Sequence, residues 1–194
     1  MINNRLIVVI CFLLLGIWSA CSNHYAPKPR GYFRIKLPDK AYQTYRGGCP
    51  FSFDYPTYAT LEPDTAKNAH PCWMNVVYPL FNARIYLSYY PITSKQIFNE
   101  LVEDARTFAF KHTVKATAID EALITDKQHA VYGILYSIEG NTASATQFFV
   151  TDSTSNYLRA ALYFHEKPRR DSIQPVLDFI NQDIQVMIRT MRWK

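Results

Sequence analysis

The stretch from Val131 to Phe164 most limits what this chain can fold into. Val131, Gly133 and Leu135 alternate with Tyr132, Ile134 and Tyr136, and after Gly140-Asn141 the alternation resumes through Thr146, Phe148 and Val150. After Thr151-Asp152-Ser153-Thr154 it resumes again, with Leu158, Ala160, Leu162 and Phe164 opposite Tyr157, Arg159, Ala161 and Tyr163. Successive side chains of a strand point to opposite faces, so a period of two marks strands with two distinct environments. Connections this short return the chain beside itself, because a parallel crossover needs about a dozen residues or more. The stretch therefore predicts an antiparallel meander.

The same period appears earlier, in Phe51-Ser52-Phe53-Asp54-Tyr55 before Pro56, in Trp73 to Tyr78, and in Arg84 to Tyr90 before Pro91. Two segments carry a helical period instead. Thr93 followed by Gln96 resembles a capping box and opens a run with Ile97, Leu101, Ala105 and Phe108 on one face, giving a helix to about Lys111. Near the C-terminus Ile173, Val176, Leu177, Ile180, Ile184, Ile188 and Met191 form an amphipathic helix that tolerates Pro175 only in its first turn. The expected architecture is α+β: a single antiparallel sheet of about seven strands with two helices on one face, in one domain over residues 46–194. Hydrophobic residues make up 48% of the 194 and charged residues 19%, which suffices for a packed core and excludes a disordered chain.

The N-terminus has a different character. Residues 1–20 place Arg5 before an apolar run from Leu6 to Ile17, shorter than the roughly 20 residues that span a bilayer and typical of a signal-peptide core. Trp18-Ser19-Ala20-Cys21 then puts small residues before a cysteine, as at the sites where a bacterial signal peptidase cuts beside a lipid-modified thiol. Cys21 is the expected lipidation site, and the alternative is a secreted chain cut after Ala20. Each buried methylene of an acyl chain contributes about 0.8 kcal/mol, so several chains hold a protein at a membrane where one would not. Ser22 rather than Asp after the cysteine favours the outer membrane, with the domain facing the periplasm. Pro27 and Pro29, with Lys28 and Arg30, make residues 21–45 read as a lipidated end and proline-rich tether.

Of the four cysteines, Cys11 leaves with the signal and Cys21 carries lipid, so Cys49 and Cys72 are left to pair in an oxidising compartment.

Catalytic and metal signatures are missing from the sequence. No two of His24, His70, His112, His129 and His165 have ligand spacing, and no nucleophile elbow or glycine-rich phosphate loop occurs, so no metal or cofactor is expected. The formal charge of +5 is too small and too dispersed to suggest nucleic acid. Three polar residues stand out by their company. His112 lies in Lys111-His112-Thr113 at the end of the first helix, where cations suit the negative end of the helix dipole. Gln147 sits among strand apolar residues, and Arg159 lies mid-strand, where a guanidinium needs a carboxylate such as Asp104, Glu139 or Asp178. They form a possible structural or binding cluster. With 12 Phe, 14 Tyr and 3 Trp, exposed aromatic faces are the main sign of protein partners.

Several blocks stand out along the chain: Pro27-Lys28-Pro29-Arg30-Gly31-Tyr32-Phe33-Arg34, Cys49-Pro50 with Cys72-Trp73, and Lys111-His112-Thr113. Further blocks are Gln147-Phe148-Phe149-Val150-Thr151-Asp152-Ser153 and Leu158-Arg159-Ala160-Ala161-Leu162-Tyr163. On these blocks the chain, from Cys21 to Trp193, resembles the gliding-motility lipoprotein GldD family of the Bacteroidota. The resemblance is specific to family. It implies a non-enzymatic lipoprotein of the outer membrane, required for gliding and the linked type IX secretion machinery, whose partners are other gliding and secretion lipoproteins and envelope proteins. The order of elements is also similar to that of the photosystem oxygen-evolving accessory protein and the Mog1-like proteins, an analogy of fold alone. The rival reading is an envelope hydrolase or ligand-binding lipoprotein with its pocket near His112, Gln147 and Arg159.

Overall fold

The computed structural model describes residues 35–165 and 170–194. The expected signal peptide and Cys21 lie outside these residues. Residues Lys36–Lys194 form one compact unit.

Ten strands and two α-helices follow one another in the unit. Strands β1 (Tyr42–Tyr45), β2 (Phe51–Pro56), β3 (Thr60–Pro63), β4 (Met74–Tyr78) and β5 (Ala83–Pro91) precede helix α1 (Lys95–Phe110). A 3-10 turn over Lys111–Val114 leads into β6 (Ala116–Asp126), β7 (Val131–Gly140), β8 (Ser144–Thr151) and β9 (Asn156–Phe164). Helix α2 (Arg170–Arg189) and the short β10 (Arg192–Trp193) complete the unit. Strands β7 to β9 are the meander expected from the alternation, β6 extends it by one strand, and every strand pair is antiparallel.

The strands form two sheets, not the single sheet expected. Seven strands run in the order β3-β4-β5-β9-β8-β7-β6, and a separate sheet has the order β1-β2-β10. The reason lies in β2. One edge is taken by β1 along Phe53 to Pro56, and the other by β10 at Phe51 and Ser52 and by the Thr190 hydroxyl, which accepts from the Asp54 N–H, so β2 pairs with these rather than with the larger sheet. It packs through its faces instead: Phe51 and Phe53 are fully buried in the main core.

The helices also lie on opposite faces of the large sheet rather than on one. Val176, Leu177, Ile180 and Ile184 of α2 share a core with Phe148, Val150, Leu158 and Leu162. Ala105 and Ala109 of α1 pack with Phe149, Tyr157, Tyr136 and Ile138. Phe148 and Phe149 are neighbours on one strand, as are Tyr157 and Leu158, so the two clusters occupy the two sides of the sheet. Apolar periodicity requires each helix to have a sheet face but does not choose which.

Local chemistry refines the element ends. Ser94, not Thr93, caps α1, its side chain accepting from the Ile97 N–H at 3.2 Å, while Gln96 bonds forward to Glu100. Helix α2 starts at Arg170, so Pro175 lies in its second turn rather than its first.

The segment expected as tether is partly folded. Residues 36–45 belong to the compact unit, with Tyr42 to Tyr45 paired to β2 and Lys40 bound to α2.

Candidate functional site

The three polar residues singled out in the sequence come together on the α1 side of the large sheet. Their positions follow from strand parity. Gln147 and Phe149 point to one face of β8, and Tyr157, Arg159, Ala161 and Tyr163 to the same face of β9. The Arg159 guanidinium donates to Gln147 Oε1 at 2.9 Å and lies 4.3 Å from the centre of the Phe108 ring on α1. Lys111 Nζ approaches the same ring at 4.6 Å. His112 is half-buried where α1 ends. Burial lowers its pKa, and the neighbouring positive charge of Arg159 lowers it further.

One register row across this face is mostly polar. Glu62 is in register with Asn75, Asn75 with Tyr86, Tyr86 with Ala161, Ala161 with Gln147, Gln147 with Tyr136 and Tyr136 with Glu121. Among the described residues, five buried side-chain atoms lack a hydrogen-bond partner, and four are on this face: Asn75 Oδ1, Arg84 Nε, Gln147 Nε2 and Arg159 Nε. Unsatisfied buried polar atoms are costly, and their concentration on one face marks it as unusual.

The ion pair expected for Arg159 is not formed. Among the described residues no carboxylate lies within 4.0 Å of its guanidinium, and Asp104 acts on it only as a weak, more distant charge behind three tyrosines. Burial lowers the guanidinium's pKa. Among the described residues no hydroxyl or thiol hydrogen-bonds to His112, no carboxylate orients it, and no three His, Cys, Asp or Glu side chains gather as metal ligands. His129 does meet a carboxylate, Asp126 Oδ2 at 2.7 Å, but the same carboxylate accepts the His129 N–H and so belongs to the β6–β7 turn.

The aromatic content is core rather than surface. Tyr78, Tyr136, Tyr157, Phe51, Phe53 and Phe148 are among the largest fully buried side chains. Among the described residues Phe108, at 38%, is the one Phe, Tyr or Trp that ranks as exposed. That makes its two cations a local surface feature.

A second polar centre was invisible in the sequence. Asp183 on α2 is fully buried and accepts from Lys40 Nζ at 2.6 Å, Tyr42 Oη at 2.9 Å and Tyr58 Oη at 2.7 Å. Lys40 Nζ also donates to the Phe179 carbonyl at 2.7 Å and sits 3.3 Å from that ring's centre. Burial, then Asp183, pushes the Tyr42 hydroxyl up to about 12, and the same causes raise Tyr58 further. The Tyr78 hydroxyl lies in the field of the same carboxylate without meeting hydrogen-bond geometry. Burial lowers the Lys40 pKa even though Asp183 opposes the shift; the bonds from Lys40, Tyr42 and Tyr58 to Asp183 form a lock between the start of the folded unit and α2. Cys49 and Cys72 are joined by a disulfide with Cα atoms 5.6 Å apart, linking the loop before β2 to the start of β4.

The family described as gliding motility lipoprotein GldD matches residues 22–193, nearly the whole chain. The chain belongs to the GldD family. Membership implies a lipoprotein of the cell envelope with a role in gliding motility. Among the described residues no helix is long and apolar enough to cross a membrane. None of the curated protein sequences matches the chain. Among solved structures, the solution structure of cyanobacterial PsbP (CyanoP) from Synechocystis sp. PCC 6803 is similar at 11% identity and a TM-score of 0.47, covering 87% of this chain and 100% of that one. The polar face and the Asp183 lock both lie within the span that matches the GldD family.

Proposed function

We propose that the protein is a non-enzymatic assembly component of the gliding apparatus and its linked type IX secretion machinery, held by lipid on Cys21 at the periplasmic face of the outer membrane. Family membership carries this reading: the match begins at Ser22, the residue directly after the cysteine that ends the signal-like segment. Anchoring confines the folded unit to a membrane surface and raises its effective concentration at partners there. Four of the five unsatisfied buried polar atoms among the described residues lie on the sheet face that α1 covers, which supports a role for that face beyond packing.

The test is Cys21→Ala expressed in a gliding host. The expected result is a folded protein in the soluble periplasmic fraction and loss of both gliding and type IX export. Normal gliding from a protein shown to be unanchored overturns the anchor.

A further inference from the structure

The large sheet ends on an uncovered strand. In the order β3-β4-β5-β9-β8-β7-β6, β3 closes one edge with only four residues and ends at Pro63, whereas β6 forms the other edge with eleven. β6 pairs with β7 along one side, from Ala116 to Asp126. Among the described residues no strand or loop backbone bonds to its other side. Such a row of outward N–H and C=O groups is a template for another chain, and natural edges are blunted by Lys, Pro or short length. β6 has none of these between Ala116 and Asp126. Its one irregularity is a bulge at Ala116/Ala118, and Lys115 and Lys127 stand just outside it.

The side chains of β6 specify what kind of strand fits beside it. The run from Asp120 to Leu123 is exposed, Leu123 at 85%. By parity Ile119, Glu121 and Leu123 share the α1 face with Ile138, Tyr136 and Ile134, while Ala118, Asp120 and Ala122 share the opposite face. A strand laid along β6 therefore sets one row of side chains beside Leu123 and the other beside Asp120. Among the described residues neither Asp120 nor Glu121 enters an ion pair. Opposite charges on neighbouring strands are favourable and like charges are not. A second β6 brings Asp120, Glu121 and Asp126 again and no cation of its own, so another copy of this chain is a poor match.

We propose that the outer edge of β6 takes an extended segment of a partner polypeptide as an added strand, a segment that alternates Lys or Arg, set beside Asp120, with apolar side chains, set beside Leu123. The inference rests on the assembly role proposed above and specifies the segment that docks.

The test uses the chain carrying Cys21→Ala and a fluorescent octapeptide of alternating Lys and Val, followed by anisotropy. The same octapeptide N-methylated at its four central residues keeps the charges and loses the backbone donors that strand pairing needs. Saturable binding of the first peptide is expected. Its Kd should rise at least tenfold on N-methylation and in Asp120→Lys/Glu121→Lys, and two- to fivefold in Leu123→Thr. All three substituted side chains are exposed, so melting temperatures should stay within about 3 °C of the parent, which separates lost binding from lost folding. No binding by the parent protein, equal binding of the N-methylated peptide, or unchanged binding by Asp120→Lys/Glu121→Lys overturns the proposal. So does a dimer of the parent in sedimentation equilibrium that the peptide fails to dissociate. The anchor and the assembly role are tested apart from this, by gliding of the Cys21→Ala strain: loss of gliding there with no peptide binding here removes the edge and leaves the anchor standing.

Discussion

Replacing Lys40 by Met gives a direct measure of the lock between the start of the folded unit and α2. Met keeps the length and apolar stem of Lys, so packing on Phe179 is retained while the charge and its donors are lost. Asp183 is fully buried, and without Lys40 it keeps only the Tyr42 and Tyr58 hydroxyls, at 2.9 and 2.7 Å. Breaking a buried ion pair from one side costs about 3–5 kcal/mol. The Lys40 side chain keeps 25% of its exposure, so solvent screens the pair and the expected loss falls to about 2–3 kcal/mol. Asp183→Asn in the Lys40→Met background removes the stranded charge, its amide oxygen accepting from one tyrosine and its NH2 donating to the other hydroxyl. It should recover at least ~1.5 kcal/mol, so the coupling in a double-mutant cycle exceeds that figure by the cost of Asp183→Asn alone. Urea unfolding of the chain carrying Cys21→Ala, read as a midpoint shift at constant m, measures each step. A Lys40→Met loss below ~0.5 kcal/mol, or no recovery on adding Asp183→Asn, refutes the reasoning, because the hydroxyls alone would then suffice for the carboxylate.

Three further outcomes are expected. The double variant Cys49→Ala/Cys72→Ala opens a loop of 23 residues and should lose about 3 kcal/mol, seen as a lower melting temperature that reductant no longer changes. Asp152 resists protonation: burial raises its pKa, but the N–H groups of Ser155, Asn156 and Thr154 and the Asn156 amide outweigh it and hold the carboxyl at about 2. The unfolded carboxyl titrates near 3.8, so this stabilisation is complete above pH 4 and is lost as pH falls towards 2; Asp152→Asn should flatten the stability curve in that window, measured by urea midpoints against pH. In Gly133→Ala, the new methyl would overlap the Phe149 carbonyl oxygen in the adjoining strand, and thermal melts should show a loss of at least about 2 kcal/mol with the β7–β8 pairing displaced.

Regular alternation made β2, β4, β5 and the β7 to β9 meander legible, because a period of two held over five or more residues suits a strand with two unlike faces and fits no helix. β1 has four residues and β10 two, too short for any period, so the second sheet could not be seen. The cluster of His112, Gln147 and Arg159 was found because each residue interrupts an apolar or helix-ending pattern. Its expected carboxylate was not, because partners across a fold leave no local mark. Asp183 escaped notice for the same reason, although one signal was available: it falls on the buried stripe of α2, three residues after Ile180 and four before Met187. A lone acid on such a stripe requires partners, but the sequence does not show that they lie 125 to 143 positions upstream. The aromatic surplus pointed to surface binding, yet the residues went mainly to packing, since Tyr and Phe fill a thin layer between sheet and helix as readily as they line an interface.

The pairing of Lys40 with Asp183, 143 positions apart, also fixes an order of events in biogenesis. In an exported chain Lys40 and Tyr42 emerge from the inner membrane first, and Asp183 follows only after most of the unit has crossed. The neighbours β1 and β2 can pair early, but β2 waits for its other partner, β10, which follows Asp183. The opening segment of the unit is therefore held open until the last helix arrives, and a chain truncated before Asp183 cannot close it. Completion of the lock thus reports that nearly the whole chain has been made, which gives a quality-control protease a long window in which to remove unfinished copies.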